Sequence, residues 1–200
     1  VSARVALASS LNIPAVKVLG MLNLDEFLTT LKEFGFTELR EGDYYGLSIA
    51  LGSLDISLKE LTNAYRTLAN KGLHSEIRIK EQDSPGSPKR IFSEKTVEIL
   101  SNILSDKEAR ALSFGLENPL VTRFKSSVKT GTSKDMRDNW CVGYNHKYTV
   151  GVWVGNFSGE PMWNVSGVTG AAPVWRDIMN FLSEGQIEIQ KNNSRETENI

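Results

Sequence analysis

The stretch SSVKTGTSKDMRDNW, Ser126 to Trp140, decides how this chain is read. A lysine follows a short apolar approach and runs straight into Thr-Gly-Thr-Ser. Small hydroxyl residues around a glycine commonly make turns, and for Lys-Thr-Gly alone that reading is the stronger one. A second reading places Lys129 to Thr132 on an edge strand facing a cleft. There Gly131 lets a substrate backbone approach closely, and Lys129 supplies a fixed positive charge. The hydroxyls of Thr130 and Thr132, with Ser133 behind them, donate to a carboxylate, and a backbone N–H near Thr132 stabilises an oxyanion. Such a set suits the C-terminal end of a peptide during acyl transfer.

A partner motif at a distance favours the second reading. Ser10-Leu11-Asn12 is the one Ser-x-Asn of the sequence, and it falls at a break between two helical patterns. Alone it reads as a helix end followed by turn chemistry around Pro14. Paired with Lys-Thr-Gly-Thr on a later strand, it becomes a second arm of one site.

The bulk composition narrows the alternatives. Two hundred residues, 40% apolar and 24% charged, form one globular domain or a large piece of one. A formal net charge of -1 makes no electrostatic case for a nucleic-acid partner. The single cysteine, Cys141, excludes an internal disulfide framework and reads as a small buried core residue. The two histidines, His74 and His146, lack metal-ligand spacing and read as solvated. No apolar run is long enough to span a membrane. The chain opens on Val1 inside a helical pattern, which reads as a piece of something longer.

Local signals predict helices first. Ser2 caps a helix over 3–11, Asn12-Ile13-Pro14 breaks it, and a second helix runs from Pro14 to about Met21. A third starts at Asp25, with Phe27, Leu28, Leu31 and Phe34 on one stripe and Gly35 as its stop. Residues 36–53 read as glycine-rich loop. Ser57-Leu58-Lys59-Glu60 is a capping box opening a helix with Leu61, Ala64, Tyr65, Leu68 and Ala69 inward. Residues 76–80 alternate as a short strand, 83–88 form a turn-rich surface loop, and Ser93 caps a helix over 94–104. The character then turns to β over 121–129, 139–145 and 148–156, with a tight connection at Asn145-His146-Lys147. Pro173 starts a last helix over 174–184, with Ile178, Phe181 and Leu182 inward, and a polar, disordered tail follows over 187–200. The order implies an α+β fold, helices packed on a small antiparallel sheet with a closing C-terminal helix. The outer strand over 148–156 carries no charge after Lys147, so more sheet is expected beside it.

Several blocks resemble one family. Ser-x-x-Lys, Ser-x-Asn and Lys-Thr-Gly are the motif set of serine β-lactamases and penicillin-binding proteins. Residues 8–16, ASSLNIPAV, are similar to the Ser-x-Asn region of class A penicillin-binding proteins. Residues 47–53, LSIALGS, with 57–72, resemble a second block. Lys129 to Ser133 followed by Arg137-Asp138-Asn139-Trp140 resembles a third, and 148–155 with 169–177 match the closing strand and last helix. The resemblance covers residues 1 to about 185, and the wording is nearest to the penicillin-binding protein 1C group. It implies a partial transpeptidase-like fold over 1–186.

By that resemblance the parent is a D,D-transpeptidase. It cross-links peptidoglycan stem peptides through an acyl-serine and binds β-lactams, on the outer face of a membrane to which a segment outside this chain anchors it. Ser10 would relay a proton, Asn12 would bind the substrate amide, and Lys129 would supply positive potential. Thr130 and Thr132 would grip the carboxylate, Gly131 would leave room for the substrate, and Arg137 and Asp138 would fix the following loop. No metal or organic cofactor is implied. The nucleophile is expected upstream, because the one Ser-x-x-Lys, Ser126 to Lys129, lies on an expected strand whose positions i and i+3 face opposite ways. The alternatives are a D,D-carboxypeptidase or β-lactamase-like hydrolase, and a non-catalytic domain that binds peptidoglycan or a partner.

Overall fold

The computed structural model describes residues 1–84 and 86–197, with side chains as far as Glu184. Pro85, inside the expected 83–88 loop, and 198–200, the end of the expected tail, lie outside the described residues. Helices α1 (Ala3–Ala8), α2 (Asn12–Leu19), α3 (Leu24–Glu33) and α4 (Gly42–Tyr45) lead into a 3-10 turn (Gly46–Leu51) and α5 (Leu58–Ala69). A two-residue pairing of β1 (Leu73–His74) with β2 (Lys89–Arg90) follows, then α6 (Glu94–Leu104) and α7 (Lys107–Phe114). Strands β3 (Ser127–Thr132), β4 (Asp138–Tyr144) and β5 (Thr149–Gly155) form an antiparallel sheet in the order β3-β4-β5. A π turn (Gly167–Ala171) enters the closing helix α8 (Ala172–Thr197).

The α+β class and the closing helix are as the sequence implies. Ser2, Ser57 and Ser93 all cap their helices, and Ser57 with Glu60 forms the complete capping box. Leu28 of α3 and its C-cap Phe34 are buried, and Cys141 is fully enclosed.

Several local expectations are corrected. Residues 36–53 hold α4 and the 3-10 turn instead of open loop, because Tyr45 and Ile49 turn inward onto Leu19 and Leu28. No strand forms over 76–80; the pairing sits at Leu73–His74. His74 is half-buried rather than solvated, its Nδ1 3.0 Å from Thr67 Oγ1, and burial lowers its pKa. Helix α7, unread in the sequence, is capped by Asp106. On α5 the buried set includes Asn63 and Thr67, which the apolar stripe omitted.

Helix α8 differs in phase and in length. Its inward face is Ala172, Trp175, Met179 and Ser183, whereas Ile178 and Phe181 are exposed. Trp175 sets that phase, because Gly143 leaves it a slot: a Cβ there would lie 2.5 Å from the indole. The backbone stays helical through Gly185 to Thr197, past the point where the sequence ends the helix.

The sheet is covered on both faces. Alternation puts Lys129, Gly131, Val142, Trp140, Gly151 and Trp153 on one face. Helix α5 lies there, with Thr62 over Gly151. The other face packs Val128, Cys141 and Val152 against Trp175 and Met179 of α8. Among the described residues no further strand pairs with β5.

Candidate active site

The two motifs meet where α1 ends. Ser9 is the C-cap of α1, and Ser10 follows with φ 56°, in the left-handed region. The Ser10 N–H donates to the Leu7 carbonyl at 3.2 Å and the Leu11 N–H to the Ala6 carbonyl at 2.9 Å. These bonds are the paired closure of a Schellman motif, whose left-handed position usually holds glycine. The helix therefore breaks at Ser10, not at 12–14 as expected. Asn12 and Ile13 belong to α2, with Leu11 as N-cap. Pro14 is accommodated because the first-turn N–H groups have no intrahelical acceptor.

The left-handed turn swings Ser10 toward the sheet. Lys129 Nζ donates to Ser10 Oγ at 2.5 Å, across 119 positions of chain, and to the Thr130 carbonyl at 2.7 Å. No carboxylate among the described residues pairs with Lys129. Burial without a counter-charge lowers its pKa from 10.5 to about 8. A substantial fraction of Lys129 is then neutral near pH 8. A hydroxyl in contact with a lysine so poised is a competent proton-transfer pair.

The remaining residues divide as follows. Asn12 is exposed at the start of α2, and its side chain makes no hydrogen bond among the described residues. Thr132 is exposed, and its Oγ1 accepts the Gly167 N–H at 2.9 Å. Alternation puts Thr130 and Thr132 on the face opposite Lys129, so both hydroxyls reach a ligand only around the free edge of β3. A Cβ at Gly131 would meet nothing nearer than Trp140 Cβ at 3.6 Å, an ordinary contact. Internal packing thus leaves space beside Gly131 on the face that carries Lys129.

Past the strand, Ser133 is tied into the turn. Its hydroxyl donates to Asp138 Oδ2 at 2.8 Å and accepts the Asp138 N–H at 2.9 Å. Asp138 Oδ1 accepts Trp153 Nε1–H at 2.9 Å, and Arg137 donates to the Gly159 carbonyl. Arg137 and Asp138 hold the loop through these separate bonds. Ser126 is buried with its Oγ 2.8 Å from Thr122 Oγ1, so the single Ser-x-x-Lys forms no serine–lysine pair.

Two contributors escaped the sequence. Ser9 is buried, and its Oγ donates to the Ala109 carbonyl at 2.8 Å. Gly167 seats the π turn on the sheet: a Cβ there would lie 2.4 Å from the Gly131 carbonyl oxygen and 2.7 Å from that of Trp140. The glycines flanking Val168-Thr169 were a readable signal for Gly167; nothing in Ser9-Ser10 signalled a burial difference.

A family model for the penicillin binding protein transpeptidase domain matches residues 1–180. The chain belongs to this family. It is 32% identical over 178 residues to penicillin-binding protein 1C of Escherichia coli (strain K12), covering 88% of this chain and 22% of that protein. Penicillin-binding protein 1A of Aquifex aeolicus (strain VF5) is 29% identical over 198 residues, covering 92% of this chain and 26% of that protein. The crystal structure of penicillin-binding protein 1A from Haemophilus influenzae superimposes with a TM-score of 0.72 at 22% identity. That match covers 90% of this chain and 34% of the other, a likeness of fold. The transpeptidase-family chain thus spans between 22% and 26% of the length of the two curated relatives. Among the described residues, no helix is long and apolar enough to cross a membrane.

Proposed function

We propose that the chain carries the Ser-x-Asn and Lys-Thr-Gly arms of a peptidoglycan D,D-transpeptidase site. The observation that carries this reading is the 2.5 Å contact between Ser10 Oγ and Lys129 Nζ. The acyl-accepting serine lies outside residues 1–200. It attacks the carbonyl of the penultimate D-alanine of a stem peptide, the C–N bond breaks, and the terminal D-alanine leaves. The amine of a neighbouring stem then takes the acyl group. Ser10, backed by Lys129, passes a proton to the leaving nitrogen and later receives one from the attacking amine. Asn12 binds the substrate amide, Thr130 and Thr132 hold the terminal carboxylate at the edge of β3, and Gly131 leaves the substrate room. Ser133 supports that edge through Asp138. β-Lactams acylate the same outside serine, and the site works on the outer face of a membrane, held there by a segment outside the chain.

The reading is tested with benzylpenicillin in excess and intact-protein mass spectrometry. The 200-residue chain stays unmodified, because its covalent step lacks a serine activated by a lysine one helical turn away. A stoichiometric adduct mapped to Ser10, Ser126 or Ser127 overturns the reading.

A further inference from the structure

We propose that Ser9 is a positioning residue for the Ser10–Lys129 pair: its buried hydroxyl, anchored on the Ala109 carbonyl, holds the left-handed turn that presents Ser10 to Lys129. The inference rests on the reading of that pair as the proton relay.

Ser10 occupies a conformation that a residue with a Cβ avoids, and it does so at φ 56° without glycine's freedom. Something around the turn must over-determine it. The two backbone bonds of the Schellman closure form at the end of many helices and do not by themselves favour serine over glycine. What is particular here is the residue before. Ser9 is 1% exposed, and its hydroxyl donates at 2.8 Å to a carbonyl 100 positions away, on α7. That bond crosses between elements, so it fixes where the turn sits as well as its shape.

The anchor is itself held at its far end. Asp106, the N-cap of α7, accepts the Ala109 N–H at 2.8 Å, and the same carboxylate group accepts from Arg4 of α1 at 2.8 Å. Arg4 also donates to Asn102 of α6 at 2.8 Å. Helix α1 is therefore clamped to the α6–α7 corner at its first turn by Arg4 and at its C-cap by Ser9. Ser127, two residues before Lys129, donates to the Ser101 carbonyl of α6 at 2.9 Å. The α6–α7 corner thus holds both partners of the pair, Ser10 through Ser9 and Lys129 through Ser127. A bulky or merely apolar residue at position 9 would fill the space but lose the cross-element bond.

The measurement is the titration midpoint of the Lys129 ammonium, read by NMR of lysine-labelled chain and assigned with Lys129→Arg. In Ser9→Ala the turn loosens, water reaches Lys129, and its midpoint rises from about 8 toward the ordinary lysine value. Arg4→Met, a change at the half-buried other end of the clamp, moves the midpoint the same way by less and serves if Ser9→Ala folds poorly. Ser10→Ala removes an acceptor that favours the charged form, so it lowers the midpoint. A Ser9→Ala protein that melts at lower temperature with an unmoved Lys129 midpoint overturns the positioning role and leaves the relay pair standing. An unmoved midpoint in Ser10→Ala overturns the pair itself.

Discussion

At the residue scale the site is built from two unfavourable choices. Ser10 sits where helices place glycine, and Lys129 is drawn out of water without a carboxylate. The first choice has a clean test, because Ser10→Ala and Ser10→Gly both remove the hydroxyl and differ only by a Cβ in the left-handed region. Ser10→Gly is the more stable of the two by about 1 kcal/mol, read as the difference between their urea midpoints at equal slope. Equal stabilities would show that the turn is not strained. The second choice makes stability depend on pH. Unfolded, Lys129 holds its proton up to about 10.5; folded, only to about 8. Between those values the unfolded chain binds more protons, so this lysine's penalty is full below pH 8 and fades as pH rises toward 10.5. Burial raises the pKa of Cys141, Tyr65 and Tyr144, and those groups act in the opposite sense as the unfolded chain loses their protons. The comparison is therefore between the chain and Lys129→Met. Near pH 7 the methionine variant is more stable by roughly 1–2 kcal/mol, since it removes an unpaired, desolvated charge. That advantage shrinks by pH 10.5, and a gap constant with pH would show that Lys129 titrates normally.

At the element scale, what was legible followed from local chemistry. Caps at Ser2, Ser57 and Ser93, the stripe of α3 and the hairpin at Asn145 are all set within a few residues, and all were readable. At that hairpin Asn145 Oδ1 accepts the N–H groups of Lys147 and Tyr148 at 2.8 and 2.7 Å. What was illegible depends on distant partners. The phase of α8 is decided by a slot at Gly143, on a strand about thirty residues away, so local hydrophobicity pointed to Ile178 and Phe181 instead of Trp175 and Met179. The sequence puts the end of α1 at Leu11, ahead of Asn12-Ile13-Pro14, because proline is a loud breaker. The actual stop is a Schellman turn on a serine, a residue whose propensity gives no warning of it. For the site the division is the same. The motif residues stood out by type and spacing, and the fold brings Ser10 of one motif against Lys129 of the other. That Ser133 is consumed by Asp138, and that Ser9 anchors the turn, depends on cross-element bonds with no sequence signature.

At the scale of the whole molecule, Ser10 and Lys129 meet beside the α6–α7 corner, and several cores surround that meeting. One core lies among α2, α3 and the 3-10 turn around Leu19, Leu28, Tyr45 and Ile49, and another around Phe34, Phe36 and Ala64. The sheet–α8 core is built on Val128, Cys141, Val152, Trp175 and Met179. Helix α5 joins them, carrying Ala64 and Leu61 into the helical core while Thr62 covers Gly151 of the sheet. If α5 makes the parts one cooperative unit, damage far from the site should dismantle it as a whole. Trp175 is the severest place to test this: it is fully enclosed, lies on the sheet face opposite Lys129, and fits a slot that a relaxed neighbour cannot fill. Trp175→Ala costs about 3–5 kcal/mol, a large part of the 5–15 kcal/mol or so typical of a domain's stability. In the variant the fluorescence change on unfolding comes from Trp140 and Trp153 of the sheet, since Trp163 is already 93% exposed; far-ultraviolet circular dichroism follows the helices, and both are recorded through one urea titration. The variant shifts both curves together to a lower midpoint with an unchanged slope. A helical transition that stays in place while the sheet signal moves would show the parts to be separate.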